Sequence, residues 1–455
     1  MTQAEKNAAP SQFALLRERR FLPFFIAQFG GAFNDNFYKS ALLILFTYGG
    51  IERWGLDVNV INNLVAATLI IPFFLFAPLM GQYADKYEKA LIIRRIKVAE
   101  ILTMVFAAIA LWLNSPGLLM LVLFLTGTQS ACFSPLKYSI LPQHVSAREL
   151  TGANGLVHTG TSLAIFLGLI AGTLALEFSG GRWVVAAGAL LVAWIGWRAS
   201  CRIPDAPPAD AGVQLQHNIF TQTLRTLRYA REYPMVFWSI MGASWYWFLG
   251  SVYLTQLPNF TRSVLYGSPA VVSVLLILFL LGICVGALLC ERLSRRTVEP
   301  AIVPLGALLV ALFGLDLAWS GAAFERAHAL ADGELYAISD LFGLAYWWRI
   351  VVDVTVLGVA GGLYMIPLAA LMQSRSRDDN RAQIIAANNV INAIFMVLAS
   401  VVGVVGLGVI GLSIPQLFVV IVVMHLAMMT LLFVAVAEFR QRFFARFFGV
   451  LSTKR

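Results

Sequence analysis

Long apolar stretches alternate with short polar ones along almost the whole chain. A helix needs about 20 apolar residues to cross a hydrocarbon core. Read with that window, twelve stretches emerge, at 21–48, 59–81, 97–114, 117–140, 151–178, 182–200, 235–257, 268–290, 300–320, 348–372, 383–411 and 414–437. The longest connection, 201–234, divides them six and six. It carries Pro204, Pro207 and Pro208, then Arg225, Arg228 and Arg231. Its later part reads either as an amphipathic surface helix through Ile219, Leu224, Leu227 and Tyr229 or as a plain linker. The halves resemble each other weakly: Gly127 to His158 and Gly358 to Asn392, about 230 residues apart, share a Gly-rich span, a proline after an aromatic, a charged turn and an Ala-Asn pair. Such repeats mark transporters built from two related bundles. The expected fold is an all-α polytopic membrane protein with twelve transmembrane helices in two pseudo-symmetric six-helix bundles. Its parts are an N-terminal segment at 1–20, bundles at 21–200 and 235–437, the linker at 201–234 and a basic tail at 438–455.

Composition supports this reading. Hydrophobic residues make up 59% and charged residues 13%, against about half and a quarter in a soluble domain. The net charge of +9 suggests nucleic acid until its placement is considered. Twenty-six of the 33 Lys and Arg fall on one side of the predicted topology, which puts both termini in the cytoplasm. The basic excess is therefore a topology signal, and nucleic acid is not expected as a partner. The first twenty residues lack the apolar core and cleavage site of a signal peptide, so the first span is expected to stay uncleaved. Cys132, Cys201, Cys284 and Cys290 suggest neither a disulfide framework nor a metal site.

The chemistry concentrates in Phe33-Asn34-Asp35-Asn36-Phe37-Tyr38-Lys39, inside the first span. Gln28, Gly31, Ala32, Asp35 and Lys39 follow helical spacing and share one face. A charge in hydrocarbon is costly and rarely faces lipid. Either this stripe faces a water-filled cavity, or Asp35 and Lys39, four apart, form a neutralised pair that glues helices. Gln129 and Lys137 share a face of the fourth span, and Asn154, His158 and Thr161 a face of the fifth, which would complete a polar wall. His158 alone is more often a satisfied core histidine, and its helix neighbour Asn154 raises it only slightly. Arg349 and Asp353 form an i, i+4 pair, a gate or a simple cap. Asn388 and Asn392 share a face of the eleventh span, as gate or as hydrogen-bonding glue. No Gly-x-x-x-x-Gly-Lys-Ser/Thr, His-Glu-x-x-His, Gly-x-Ser-x-Gly or Cys-x-x-Cys occurs, which argues against an enzyme and against nucleotide-driven transport.

Two motifs carry a family resemblance. The loop Gly81-Gln82-Tyr83-Ala84-Asp85-Lys86-Tyr87-Glu88-Lys89 resembles the major facilitator superfamily motif Gly-x-x-x-Asp-Arg/Lys with further basic residues. The resemblance implies a conformational latch at Gly81, Asp85, Lys86 and Lys89, with Gly81 allowing close helix approach. Tyr87-Glu88 replaces the usual small pair. Gln28-Phe29-Gly30-Gly31-Ala32-Phe33-Asn34-Asp35-Asn36, with Phe133 to Pro142 and Glu149 to Gly155, resembles the lysophospholipid transporter family. That implies alternating-access movement of lysophospholipids across the bacterial inner membrane for re-acylation, with an acyltransferase as functional partner. The alternatives are transport of another amphiphile or drug, and a non-transporting scaffold. For a lysophospholipid, Lys39 or Lys137 suits the phosphate, and Trp238, Trp245 and Phe248 suit the acyl chain, unless these aromatics form an interfacial belt. No cofactor is expected. The coupling is left open between a proton on Asp35, Na⁺ held by Asp35 with Asn34, Asn36 and backbone oxygens, which the resemblance favours, and downhill flipping that needs neither.

Overall fold

The computed structural model describes residues 12–49, 51–52, 54–146, 149–208, 231, 234–294, 299–330, 334–375 and 381–448. Among them run twelve helices of twenty or more residues: α1 Leu22–Thr47, α2 Val58–Lys86, α3 Lys89–Leu113, α4 Pro116–Ser139, α5 Leu150–Ala175, α6 Gly181–Ser200, α7 Pro234–Ser263, α8 Pro269–Ser294, α9 Ile302–His328, α10 Trp347–Ser374, α11 Arg381–Gly403 and α12 Ile414–Ala435. A shorter α13, Ala437–Phe448, follows. The expected amphipathic helix in the linker lies outside the described residues.

Ten of the twelve long helices are long and apolar enough to cross a membrane. The other two, α1 and α7, are diluted by polar residues such as Asn34, Asp35 and Lys39, and Gln256 and Asn259. Large apolar side chains are exposed along α3 (Leu102, Phe106, Trp112), α6 (Leu191, Trp194), α9 (Leu308, Leu312) and α12 (Val423, Leu431). Such continuous apolar faces are unfavourable in water and suit a hydrocarbon solvent. In that solvent helices associate through close packing of small residues. Gly168 and Gly172 of α5 sit against the Phe33 and Phe37 carbonyls of α1, where any Cβ would collide. Gly282 of α8 and Gly358 of α10 repeat the arrangement against the Thr355 and Phe279 carbonyls.

The chain forms two compact units: Met1–Leu42 with Thr68–Ile219, and Leu43–Ala67 with Phe220–Arg455. Residues 43–67 make several hydrogen bonds within the second unit. Tyr48 Oη donates to Gly267 O at 2.9 Å, Arg262 donates to Thr47 O, and Asn259 donates to Asn59.

α3 begins at Lys89, eight residues before the span the hydropathy pattern marks. The basic residues that hid its start are satisfied locally. Glu88 caps the helix, accepting from Ala90 N at 3.0 Å and Leu91 N at 2.6 Å. Lys89 Nζ reaches Pro207 O at 3.5 Å, and Arg94 reaches Ile203 O at 2.9 Å. Lys97, the first residue of the predicted span, lies well inside the helix and is 2% exposed.

Candidate functional site

The first unit carries a polar network where α1, α3, α4 and α5 meet. Asp35 projects from α1 towards α4, and Ser130 donates to its carboxylate. Lys39 lies one turn along and is partly exposed. The expected Asp35–Lys39 ion pair is not made: Asp35 acts on the amine only through space, and Lys39 has no hydrogen-bond or ion-pair partner among the described residues. Ser130 holds the carboxylate on the α4 side, which leaves the amine free.

Gln28, 2% exposed, meets α5 instead. Thr161 Oγ1 lies 2.9 Å from Gln28 Oε1 and accepts from Lys137 Nζ at 3.0 Å. Three helices are thus joined through one hydroxyl. Gln28 Nε2 and both amide atoms of Gln129 are buried without a partner. Buried amides in that state are costly and act as ready donors for an incoming acceptor. Asn154 is half-buried and His158 is exposed on α5.

Asn34 and Asn36 do not join Asp35. Consecutive helix positions point about 100° apart. Asn34 Nδ2 donates to Glu100 Oε1 at 3.3 Å and Ala189 O at 3.2 Å, whereas Asn36 Nδ2 turns back to Ala32 O at 2.9 Å. Neither side chain is aimed to complete a cation cage at Asp35.

A second charged pair escaped the sequence reading. Lys97 Nζ sits 2.6 Å from Glu100 Oε2, with side chains 2% and 6% exposed. Gly31 makes room for this amine, since a Cβ there would stand 2.8 Å from Nζ. The Phe133 ring lies 5.4 Å from it. The signal was present in the sequence: an acid three residues after a lysine, inside an otherwise apolar stretch. With every group ionised, three amines (Lys39, Lys97, Lys137) face two carboxylates (Asp35, Glu100), so this set of side chains carries one surplus positive charge.

At one end of this unit, outside the spans, Arg20 binds Glu149 at 2.7 and 3.0 Å. Ser146 adds two further donors. The Arg20 hydrogen bonds, followed by those from Ser146, pull the Glu149 carboxyl down from 4.5 to about 2.

The conformational-latch residues are only partly brought together. A Cβ at Gly81 would meet nothing within 4 Å, so the expected close approach is absent. Close approaches fall to Gly127, Gly168 and Gly172 instead. Lys86 lies over the Tyr87 ring and Lys89 is tied to the residue-207 carbonyl. The Asp85 side chain lies outside the described residues.

In the second unit, Trp245 and Phe248 stack on each other inside the packed core, 6% and 2% exposed. Trp245 Nε1 donates to His425 Nδ1 at 2.9 Å, and His425 Nε2 lies 2.9 Å from Ala307 O. This fixes a neutral imidazole with its proton on Nε2. Packing and hydrogen bonding thus claim Trp245 for the core; Trp238 is half-buried against Phe237. The Arg349–Asp353 pair is also corrected. Arg349 grips both oxygens of Asp316 on α9, and Asp353 accepts from Ser320 at 3.0 Å. A planar guanidinium prefers the two-pronged carboxylate geometry that Asp316 offers across the helix pair. Asn392 Oδ1 accepts from Ser244 Oγ at 2.7 Å, joining α11 to α7. Asn388 is buried one turn away with Oδ1 unpartnered. Among the described residues no three His, Cys, Asp or Glu form a metal cluster.

Comparison with known proteins follows the same lines. The chain is similar to the lysophospholipid transporter LplT of Yersinia enterocolitica, 27% identical over 373 residues that cover 80% of this chain and 81% of that one. It is similar to LplT of Klebsiella pneumoniae at 29% identity over 372 residues, covering 80% and 82%. In fold it resembles a crystal structure of an auto-inhibited POT family peptide transporter, at 14% identity and TM-score 0.65, covering 91% and 96% of the two chains. The Major Facilitator Superfamily profile matches residues 24–400. By that profile, over most of its length, this chain belongs to the major facilitator superfamily of transporters.

Proposed function

We propose that this protein moves lysophospholipids across the bacterial cytoplasmic membrane by alternating access and delivers them for re-acylation by an acyltransferase, with both its termini cytoplasmic. The phosphodiester of the head group binds the first unit, and Lys39 is its principal contact. The observation that carries this reading is Lys39, a half-buried residue inside a membrane helix whose amine makes no hydrogen bond or ion pair among the described residues. A membrane-embedded cation without a partner marks a ligand pathway. The surplus positive charge of these five side chains matches the single negative charge of a phosphodiester. Gln28 Nε2 and Gln129 Nε2 are unpartnered donors close to the same network. The similarity to the LplT proteins supports the same cargo. Asp35, held by one hydroxyl, takes the coupling cation; uptake under separate Na⁺ and pH gradients decides which.

The test is uptake of fluorescent lysophospholipid into proteoliposomes. Lys39→Gln is expected to cut uptake at least tenfold, the scale of one lost charge-assisted contact of about 1.5–3 kcal/mol. Its melting temperature should be unchanged, because the wild-type amine holds no partner in the fold. Undiminished uptake by Lys39→Gln would remove Lys39 from the site. Wild-type protein that moved lysolipid no faster than empty vesicles, yet exported a cationic dye, would overturn the cargo.

A further inference from the structure

α12 gives way to α13 over a single residue, Val436, whose extended backbone breaks the helix. α13, Ala437–Phe448, packs on α9 and α12. Glu438 in its first turn reaches Arg375, the residue that caps the end of α10, at 3.2 Å. Joined in this way to the ends of two spans, α13 sits where they leave the hydrocarbon. Spacing sorts its side chains among faces. Phe439 and Phe443, four apart, face the unit: Phe439 is fully buried, and the Phe443 ring lies 6.0 Å from that of Phe433. Arg440 and Phe444, also four apart, share the adjoining face and are both exposed, Phe444 by 43%. Arg442 is exposed on the opposite flank. A phenyl ring open to water beyond the spans is unfavourable. Set beside a guanidinium it suits a membrane interface, where the ring enters the acyl boundary and the cation stays among the head groups.

The charge is unbalanced in the same direction. Glu438 is the one acid of α13, and it is shared: Arg375 and Arg442 each lie 3.2 Å from it. Arg440 has no hydrogen-bond or ion-pair partner among the described residues. Three guanidiniums thus meet one carboxylate, which leaves two positive charges at the surface.

We propose that α13 is a docking surface for the head groups of anionic diacyl phospholipids in the surrounding bilayer. Phe444 enters the acyl boundary and Arg440 beside it takes a lipid phosphate. Arg442 and Arg375, which Glu438 only half neutralises, hold a second. The planar fork of a guanidinium binds phosphate oxygens in pairs. A zwitterionic head group offers the same phosphate but brings its own cation, so the net charge of the surface selects anionic lipid. The surface uses none of the residues assigned to the cargo, so the proposal does not rest on the lysophospholipid reading.

The test attaches a fluorophore through Phe444→Cys, in the intact chain with its native cysteines replaced by alanine. The protein is reconstituted in bilayers containing brominated phosphatidylglycerol or brominated phosphatidylcholine at equal mole fraction. Bromine quenches on contact, so the readout is local to α13. Phosphatidylglycerol is expected to quench more strongly, and high salt to remove the difference. Arg440→Gln is expected to lower the relative affinity for phosphatidylglycerol about fivefold, the effect of one cation at an anionic surface. Adding Arg442→Gln should lower it further. Equal quenching by the two lipids would overturn the anionic occupant, and no quenching by either would overturn the place of α13 at the bilayer. A preference that survives both substitutions would overturn the assignment to these arginines. If the cysteine-free chain does not fold, spin-labelled phosphatidylglycerol and phosphatidylcholine read the same preference around the wild type and the Arg440→Gln, Arg442→Gln double variant. There, a preference unchanged by the double variant overturns the proposal.

Discussion

Removing Glu100 should leave Lys97 as an uncompensated charge in the interior of the first unit. The pair is 2.6 Å apart and its side chains are 2% and 6% exposed, so water cannot replace the lost partner. Breaking a buried ion pair from one side costs about 3–5 kcal/mol. The remaining neighbours help little. The Phe133 ring at 5.4 Å contributes about 1 kcal/mol of cation–π attraction that is already present in the wild type. Asn34 Nδ2 loses one of its two acceptors. Replacing both residues with Met removes the charges together and retains comparable volume. Such replacements are often neutral or stabilising. The assay is reversible unfolding in mixed micelles, followed by helicity, for Lys97→Met, Glu100→Met and the double variant. Each single variant is expected to lose about 3–5 kcal/mol and the double variant about 1 kcal/mol or less, so the coupling energy should exceed about 3 kcal/mol. If the double variant lost the sum of the two singles, the view of Lys97–Glu100 as a self-neutralising pair would be refuted.

Two further outcomes follow from geometry. Glu149 is held down at about 2 in the folded protein, against 4.5 when free, so its contribution is complete above 4.5 and disappears as pH falls towards 2. After discounting for the partly exposed Arg20, Glu149→Gln should remove about 1 kcal/mol of stability near neutral pH and none at the acid end, checked by denaturation midpoints across that range. Ser244 and Asn392 meet at 2.7 Å, so a Ser244→Ala, Asn392→Ala double-mutant cycle should return a coupling of about 0.5–1.5 kcal/mol; additive losses would mean that the bond carries no stability.

Hydrophobic spacing made the helices legible because each span must bury a run of apolar residues long enough to match the bilayer, and that requirement is local. The first predicted span, 21–48, coincides with helix α1, Leu22–Thr47. Among the helix starts α3 was the exception: Lys89, Arg94 and Lys97 depress local hydropathy, yet carbonyls of residues 207 and 203 and the Glu100 carboxylate satisfy them. The polar stretch around Asp35 was equally legible, because charge inside an apolar run requires a partner or a function.

Spacing alone could not choose the partners. Asp35 and Lys39, and Arg349 and Asp353, each stand four residues apart, the separation at which helix neighbours pair. Neither pair forms. Ser130 on α4 takes Asp35, and Asp316 on α9 takes Arg349. Both competitors lie across a helix interface, 95 and 33 residues away in sequence, where no periodicity within one helix can point. Trp245 likewise reads as an acyl-chain contact from its spacing and is claimed by His425, 180 residues on. The sequence by itself determined which segments enter the membrane and which of them carry charge. The tertiary structure decided which charges are neutralised, because a buried group takes the best-aligned donor or acceptor in space. By that choice it left Lys39 without a hydrogen-bond or ion-pair partner among the described residues.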